Sequence, residues 1–142
     1  MGRVFDLLIV DDDPGQLRIL ESSLRELGLL HKCHHCDSGQ KALDFLHRRA
    51  PFEGTPRPHL ILLDFNMPDM DGCEVLRQVK SDPGLRSIPV VMMSSSRALR
   101  DINACYTEYA NAYVSKPPDL EGNLDLLRHL DQFWSHCELV PR

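Results

Sequence analysis

Leu60-Ile61-Leu62-Leu63 sets four large apolar residues directly against the carboxylate of Asp64. Such a run is too short for a helix and fits a strand buried on both faces. An acid at its end faces the crevice beyond the carboxyl ends of the strands, where open parallel sheets bind ligands. The pattern recurs: Phe5 to Val10 runs into Asp11-Asp12-Asp13, Ile88 to Met93 into Ser94-Ser95-Ser96, and Ala112 to Ser115 into Lys116. Side by side, these strand ends would bring Asp11, Asp12 and Asp64 together, with Ser94 and Lys116 on the other side of Asp64. Three gathered carboxylates cannot all stay ionised cheaply without a cation among them. Oxygen ligands select a hard one, Mg²⁺, which keeps several waters and takes one or two carboxylates together with phosphate oxygens. Lys116 offers a positive charge and Ser94 a hydroxyl donor to those oxygens. Asp64 is then placed as the nucleophile, and the product would be an aspartyl phosphate.

The segments between these strands read as helices. Asp13 is the expected N-cap of a helix that starts at Pro14, with Leu17, Leu20, Leu24 and Leu27 at helical spacing before Gly28. Leu30 to His35 reads as a second strand, and Ser38 as the cap of a helix from Gln40 to about Arg49 with Ala42, Leu43 and Leu46 inward. The prolines at 51, 56 and 58 make 50–58 a long surface loop. Asp71 and Glu74 resemble a capping box for a helix running to about Lys80 with Val75, Leu76 and Val79 inward. A fourth helix should turn Leu99, Ile102 and Tyr106 inward, and a fifth, from about Leu120 to Trp134, should turn Leu120, Leu124, Leu127 and Leu130 inward. Five strands alternating with five helices predict an α/β, doubly wound parallel sheet of flavodoxin-like (βα)5 type, strand order 2-1-3-4-5, in a single domain over 1–138. Leu139-Val140-Pro141-Arg142 resembles what a cleaved expression tag leaves behind.

At 142 residues the chain can bury a core without metal or disulfide. A net charge of −5 argues against nucleic acid as a partner and for protein. Apolar runs end after four or five residues and no basic segment leads into one, so neither a membrane span nor a signal peptide is expected. Five cysteines without framework spacing fit a reducing, cytoplasmic setting.

Asp11-Asp12, Asp64-x-Asn66-Met67-Pro68-x-Met70-Asp71-Gly72, Ser94-Ser95 and Tyr113-x-x-Lys116-Pro117, in this order and each at a strand's end, resemble the receiver domain of two-component response regulators. The resemblance runs from about Leu7 to Trp134. It implies that Asp12 and Asp64 bind Mg²⁺ directly, that Asp11 acts through water, and that Asn66 adds its backbone carbonyl. It implies Ser94, the Ser95 backbone and Lys116 as phosphoryl ligands, with Ser94 and Tyr113 as a switch. After phosphorylation Ser94 would move toward the phosphoryl group and Tyr113 would turn into the space it leaves. The face formed by the fourth helix, fifth strand and fifth helix would then change shape, read by an unknown downstream protein or a second copy of the chain. The phosphodonor would be a sensor histidine kinase. The Pro-rich insertion and the Phe133-Trp134 ending most resemble single-domain regulators paired with bacterial phytochrome kinases. The resemblance also implies a cis Lys116–Pro117 bond.

Plainer readings compete. Asp64 to Glu74 is acid-rich, but Met67 and Gln78 stand where a calcium loop needs acids. Cys33-His34-His35-Cys36 could suggest a metal, yet strand residues three apart face opposite sides. Phe133 and Trp134 cannot both face one inner stripe, so one should meet a partner, favouring a homodimer. A Mg²⁺-dependent phosphohydrolase built on an aspartyl phosphate is an alternative, opposed by Asn66 where such enzymes need a second acid. A phosphate-independent scaffold would not need Asp12, Asp64, Ser94 and Lys116 together.

Overall fold

A computed structural model of the chain describes residues 5–29 and 32–141. Five strands, β1 (Asp6–Val10), β2 (Lys32–Cys36), β3 (Leu60–Asp64), β4 (Val90–Ser94) and β5 (Ala112–Ser115), alternate with α1 (Pro14–Glu26), α2 (Gly39–Leu46), α3 (Gly72–Ser81), α4 (Leu99–Thr107) and α5 (Leu120–Trp134). The strands pair in parallel in the order β2-β1-β3-β4-β5, the flavodoxin-like arrangement expected.

The alternation along each strand divides the interior in two. Leu8, Val10, Ile61, Leu63, Val90 and Met92 face α2, α3 and α4, where they meet Leu43, Val75, Leu76 and Cys105. Leu7, Ile9, Leu60, Leu62, Val91 and Met93 face the other way, onto Leu17, Leu20 and Leu24 of α1 and Leu127 of α5. β1, β3 and β4 are buried along their whole length, which is why residues 7–10, 60–63 and 90–93 are unbroken apolar runs.

Four helices open on a side-chain cap: Asp13, Ser38, Asp71 and Asp119 accept the amides of Gly15, Lys41, Glu74 and Gly122. α4 opens on Ala98 and has no such cap. Gly28, with φ of 66°, ends α1 in the left-handed region open to glycine.

Several expected boundaries and faces are corrected. β2 lies at Lys32–Cys36, and Leu30, expected at its start, falls outside the described residues. α2 stops at Leu46, because Arg48 takes a φ of 55° that no helix continues. On α4, Leu99 and Tyr106 face solvent at 82% and 47% exposure, and the buried residue is Cys105. On α5, Leu120 is also exposed, and the inner stripe instead runs Asn123, Leu127, Leu130 and Trp134. Asn123 takes an inner position because its polar groups are satisfied there: it donates to the Asp119 carbonyl at 2.7 Å and accepts Gln16 Nε2 from α1 at 3.2 Å. The Lys116–Pro117 bond is trans, and among the described residues the cis bond is Ala50–Pro51. The 50–58 loop is tied down: Phe52 packs on Phe45, Thr55 donates to the Phe45 carbonyl, and Arg57 donates to Ser87.

Cys33 packs toward the α1 side of the sheet and Cys36 into the opposite core, as alternation requires. No helix among the described residues is long and apolar enough to cross a membrane.

Candidate functional site

The order β2-β1-β3-β4-β5 brings the ends of β1, β3, β4 and β5 together at one edge of the sheet. Asp64 is the last residue of β3 and Asp11 the first beyond β1, and both are almost wholly buried, at 5% and 3% exposure. Asp12 is exposed. One carboxylate oxygen from each of the three lies within 4.8 Å of the others.

The chain around them is pinned by backbone bonds. Asp11 N–H donates to the Cys36 carbonyl, Phe65 N–H to the Met93 carbonyl, and Lys116 N–H to the Ser94 carbonyl at 2.8 Å. The loop after Asp64 is anchored by Met67, which is buried, and by Gly72, whose N–H donates to the Phe65 carbonyl at 2.9 Å. A Cβ at Gly72 would lie 2.1 Å from the Asp64 carbonyl oxygen, so the close approach of α3 to the end of β3 depends on glycine. Met67 and Gly72 both stand in the motif after Asp64 that carries the resemblance, but no role in the site was expected of either.

Lys116 reaches both buried acids. Its ammonium is 3.0 Å from Asp11 Oδ2 and 3.4 Å from Asp64 Oδ1. The bond to Asp11 is an addition to the expected arrangement, which placed Asp11 only toward the metal. Burial draws the lysine's pKa down, but the hydrogen bond to Asp11 and the charges of Asp64 and Asp11 outweigh that and hold it above its usual value. Asp64 moves the other way. Burial and the neighbouring Asp11 push its pKa up to about 6, and Lys116 offsets only part of this. One ammonium among Asp11, Asp12 and Asp64 leaves an excess of negative charge. That excess, with the all-oxygen donor set, fits a hard divalent cation.

The remaining expected residues divide. Ser94 is fully buried at the end of β4, and its Oγ accepts the Ser96 N–H at 3.0 Å. Ser95 is exposed beside it. Asn66 is exposed on the loop, and its N–H lies 3.4 Å from Asp64 Oδ1. Tyr113 is half-buried and turned inward, and its hydroxyl donates to the Ser96 carbonyl at 2.9 Å. Phe133 and Trp134 lie away from this edge: Phe133 is 65% exposed, whereas Trp134 packs toward Phe5 in the α1/α5 core. Asp101, to which the sequence reading assigns no role, is bonded to Ser96 at the start of α4. A cavity of about 590 Å³ opens beside Asp12, lined by Leu17, Cys36, Pro51 and Phe52 among others, and shares only Asp12 with the acidic cluster.

Comparison with known proteins agrees with this geometry. Residues 7–128 match the response regulator receiver domain. The chain is 33% identical over 135 residues to the response regulator Rcp1 of Synechocystis sp., covering 95% of this chain and 92% of Rcp1. Its structure is similar to that of the phosphorylated cyanobacterial phytochrome response regulator RcpA, with a TM-score of 0.91 at 31% identity over 98% of this chain and 100% of that one. It is also similar to Mn²⁺-bound Rcp1, with a TM-score of 0.87 at 32% identity over 97% and 99% of the two chains. The sheet order, the acids at the ends of β1 and β3 and the lysine beyond β5 thus coincide with a match across nearly the whole sequence, and the chain belongs to the response regulator receiver domain family.

Proposed function

We propose that Asp64 accepts a phosphoryl group from the phosphohistidine of a sensor histidine kinase, with Mg²⁺ as the cation, and that the chain signals through the surface formed by α4, β5 and α5. The observation that carries this reading is Asp64 itself: a buried carboxylate at a strand's end, within 4.8 Å of Asp11 and Asp12 and 3.4 Å from an ammonium.

The cation would be held by Asp12, Asp64 and the Asn66 carbonyl, with Asp11 acting through water, and would supply charge neutralisation for the incoming phosphoryl oxygens. The chain's own groups do the rest. Asp64 attacks phosphorus through a carboxylate oxygen, the P–N bond to the histidine breaks, and the electron pair returns to the imidazole. Lys116 and the Ser94 hydroxyl hold phosphoryl oxygens, joined by the Ser95 backbone N–H. Tyr113, bonded to the loop that follows Ser94, carries the state of the crevice to α4 and β5. The phosphorylated state of RcpA and the Mn²⁺ in Rcp1 support both parts of this chemistry.

A phytochrome-type kinase is the sensor we favour, since RcpA is a phytochrome response regulator. The downstream reader is a protein or a second copy of this chain, as a homodimer in the cytoplasm. The phosphohydrolase reading loses ground because the loop after Asp64 presents the exposed amide Asn66, which cannot trade protons with water at neutral pH.

The test is intact-mass spectrometry after incubation with acetyl phosphate, with and without Mg²⁺, on the wild type and Asp64→Asn. One phosphoryl group that needs both the metal and Asp64 is expected. Label that survives in Asp64→Asn would mean another acceptor, and donor consumption without label would favour the hydrolase.

A further inference from the structure

Ser96 is bonded in four directions. Its N–H donates to Ser94 Oγ at 3.0 Å, its hydroxyl donates to Asp101 Oδ2 at 2.5 Å, its Oγ accepts the Ala98 N–H at 3.2 Å, and its carbonyl accepts the Tyr113 hydroxyl at 2.9 Å. The bond to Asp101 has the length of a charge-assisted O–H···O⁻ contact, roughly twice the strength of a neutral one. α4 opens on an alanine without a side-chain cap, unlike the four helices that open on Asp13, Ser38, Asp71 and Asp119, and Ser96 ties its start down through the Ala98 N–H and Asp101. Arg100 comes no nearer to Asp101 than 3.9 Å, beyond hydrogen-bond range.

Both groups that answer to the phosphoryl site hang on this serine. Ser94, by accepting the Ser96 N–H, keeps its own O–H free to donate to a phosphoryl oxygen. Tyr113 is held inward by the Ser96 carbonyl, which accepts its hydroxyl. A side chain that fixes Ser96 therefore fixes the donor and the switch residue at once. It also ties them to the first turn of α4.

We propose that Asp101 is a positioning residue for phosphoryl acceptance: by holding Ser96, it presets the Ser94 hydroxyl and the inward Tyr113 in the arrangement that receives the phosphoryl group on Asp64. This rests on Asp64 being the phosphoacceptor. Groups held ready cost no reorganisation when charge arrives, so the bond contributes to the rate and not only to the fold. The coupling is reciprocal, and an occupied site should strengthen the tie between Ser96 and α4.

The test compares the wild type, Asp101→Ala, Asp101→Asn, Ser96→Ala and the double variant Ser96→Ala/Asp101→Ala. Two quantities are measured with Mg²⁺ present: the rate of labelling by acetyl phosphate, read by intact mass, and the affinity for beryllofluoride, read by ¹⁹F NMR. Losing one hydrogen bond to a charged group should slow labelling and weaken beryllofluoride about ten-fold in Asp101→Ala. Asp101→Asn, whose amide oxygen still accepts the Ser96 hydroxyl but without the charge, should fall between the wild type and Asp101→Ala. The double variant should be no worse than the poorer single one. A lower melting temperature with unchanged rate and affinity would mean a merely structural bond and would overturn the proposal, as would additive losses in the double variant. If Asp101→Ala does not fold, Ser96→Ala against Asp101→Asn carries the same expectation. Should the wild type take no label at Asp64, the phosphoacceptor reading falls and this one with it; should the wild type be labelled and every variant match it, only the role of Asp101 falls.

Discussion

Asp64 is built for chemistry at the expense of stability. A carboxyl group whose pKa rises from 3.8 to about 6 on folding binds its proton more tightly in the folded chain than in the unfolded one. Folding is therefore favoured by this group at low pH, and the contribution is lost as pH rises from about 4 through about 6. Above that range the ionised, buried Asp64 costs on the order of 3 kcal/mol, at about 1.4 kcal/mol per pH unit. Asp64→Asn should consequently raise the stability of the metal-free protein at pH 7.5 by roughly 1–3 kcal/mol, with the gain shrinking toward pH 4. Urea denaturation in a chelator across that range would check it, and a gain that grew toward low pH would contradict the assignment of the cost to Asp64. A divalent cation should stabilise the wild type and leave the variant nearly unmoved. Asp11 and Asp64 were legible in the sequence because each stands directly past a buried apolar run. What was not legible was how they pair. The contact of Lys116 with Asp11 crosses from β5 to β1, and it depends on the three-dimensional meeting of strand ends. The bond between Ser96 and Asp101 was not legible for a related reason: a five-residue spacing matches no periodic pattern, and the clue lay in Ala98, a helix start without a capping side chain.

Elements were read correctly where one force decided them. β1, β3 and β4 are buried on both faces, so their apolar runs could only be core strands. α1 and α3 each present a single apolar stripe, and the residues expected inward on α3, Val75, Leu76 and Val79, are all buried. α4 was turned the wrong way because it has apolar residues on more than one side, and hydrophobic spacing alone cannot say which side meets the sheet. Only Cys105 of that helix is buried. Leu99 and Tyr106 stay outside, where α4 borders the proposed signalling surface. The loop from β3 to α3 depends on close approach. At Gly72 the obstacle to a side chain is backbone on both sides, the Asp64 carbonyl oxygen at 2.1 Å and Phe65 Cα at 2.9 Å, neither of which can swing aside as a side chain could. Gly72→Ala should therefore cost about 2 kcal/mol or more of stability and shift Asp64 relative to Asp11 and Lys116. Urea denaturation reads the first effect and acetyl phosphate labelling the second. Full stability with full labelling would show that α3 can move off the strand.

At the scale of the whole molecule the two aromatics that end α5 have different duties. Trp134 turns inward, with its ring centroid 6.4 Å from that of Phe5, and its buried indole N–H meets no hydrogen-bond partner among the described residues. Phe133, beside it, is 65% exposed. Adjacent positions on a helix point about 100° apart, so one inner stripe could take only one of them. Trp134→Ala should then act on folding, removing packing worth about 2 kcal/mol for a half-buried ring, less whatever the unpaired N–H already costs. Phe133 is the better candidate for contact with a second copy of the chain, joining Leu99, Tyr106, Tyr109 and Leu120 among the exposed large apolar side chains. A Phe133→Glu substitution places a charge where that contact would be desolvated, and it should weaken self-association while leaving the urea midpoint within about 0.5 kcal/mol of the wild type. Sedimentation velocity across a concentration series, with and without beryllofluoride, separates the two residues. Loss of dimer in Phe133→Glu with unchanged stability supports the exposed ring as the interface. A dimer that survives in Phe133→Glu but shifts with substitution of Tyr106 or Leu99 would move the interface to α4, and a monomer under every condition would leave the downstream reader as a different protein.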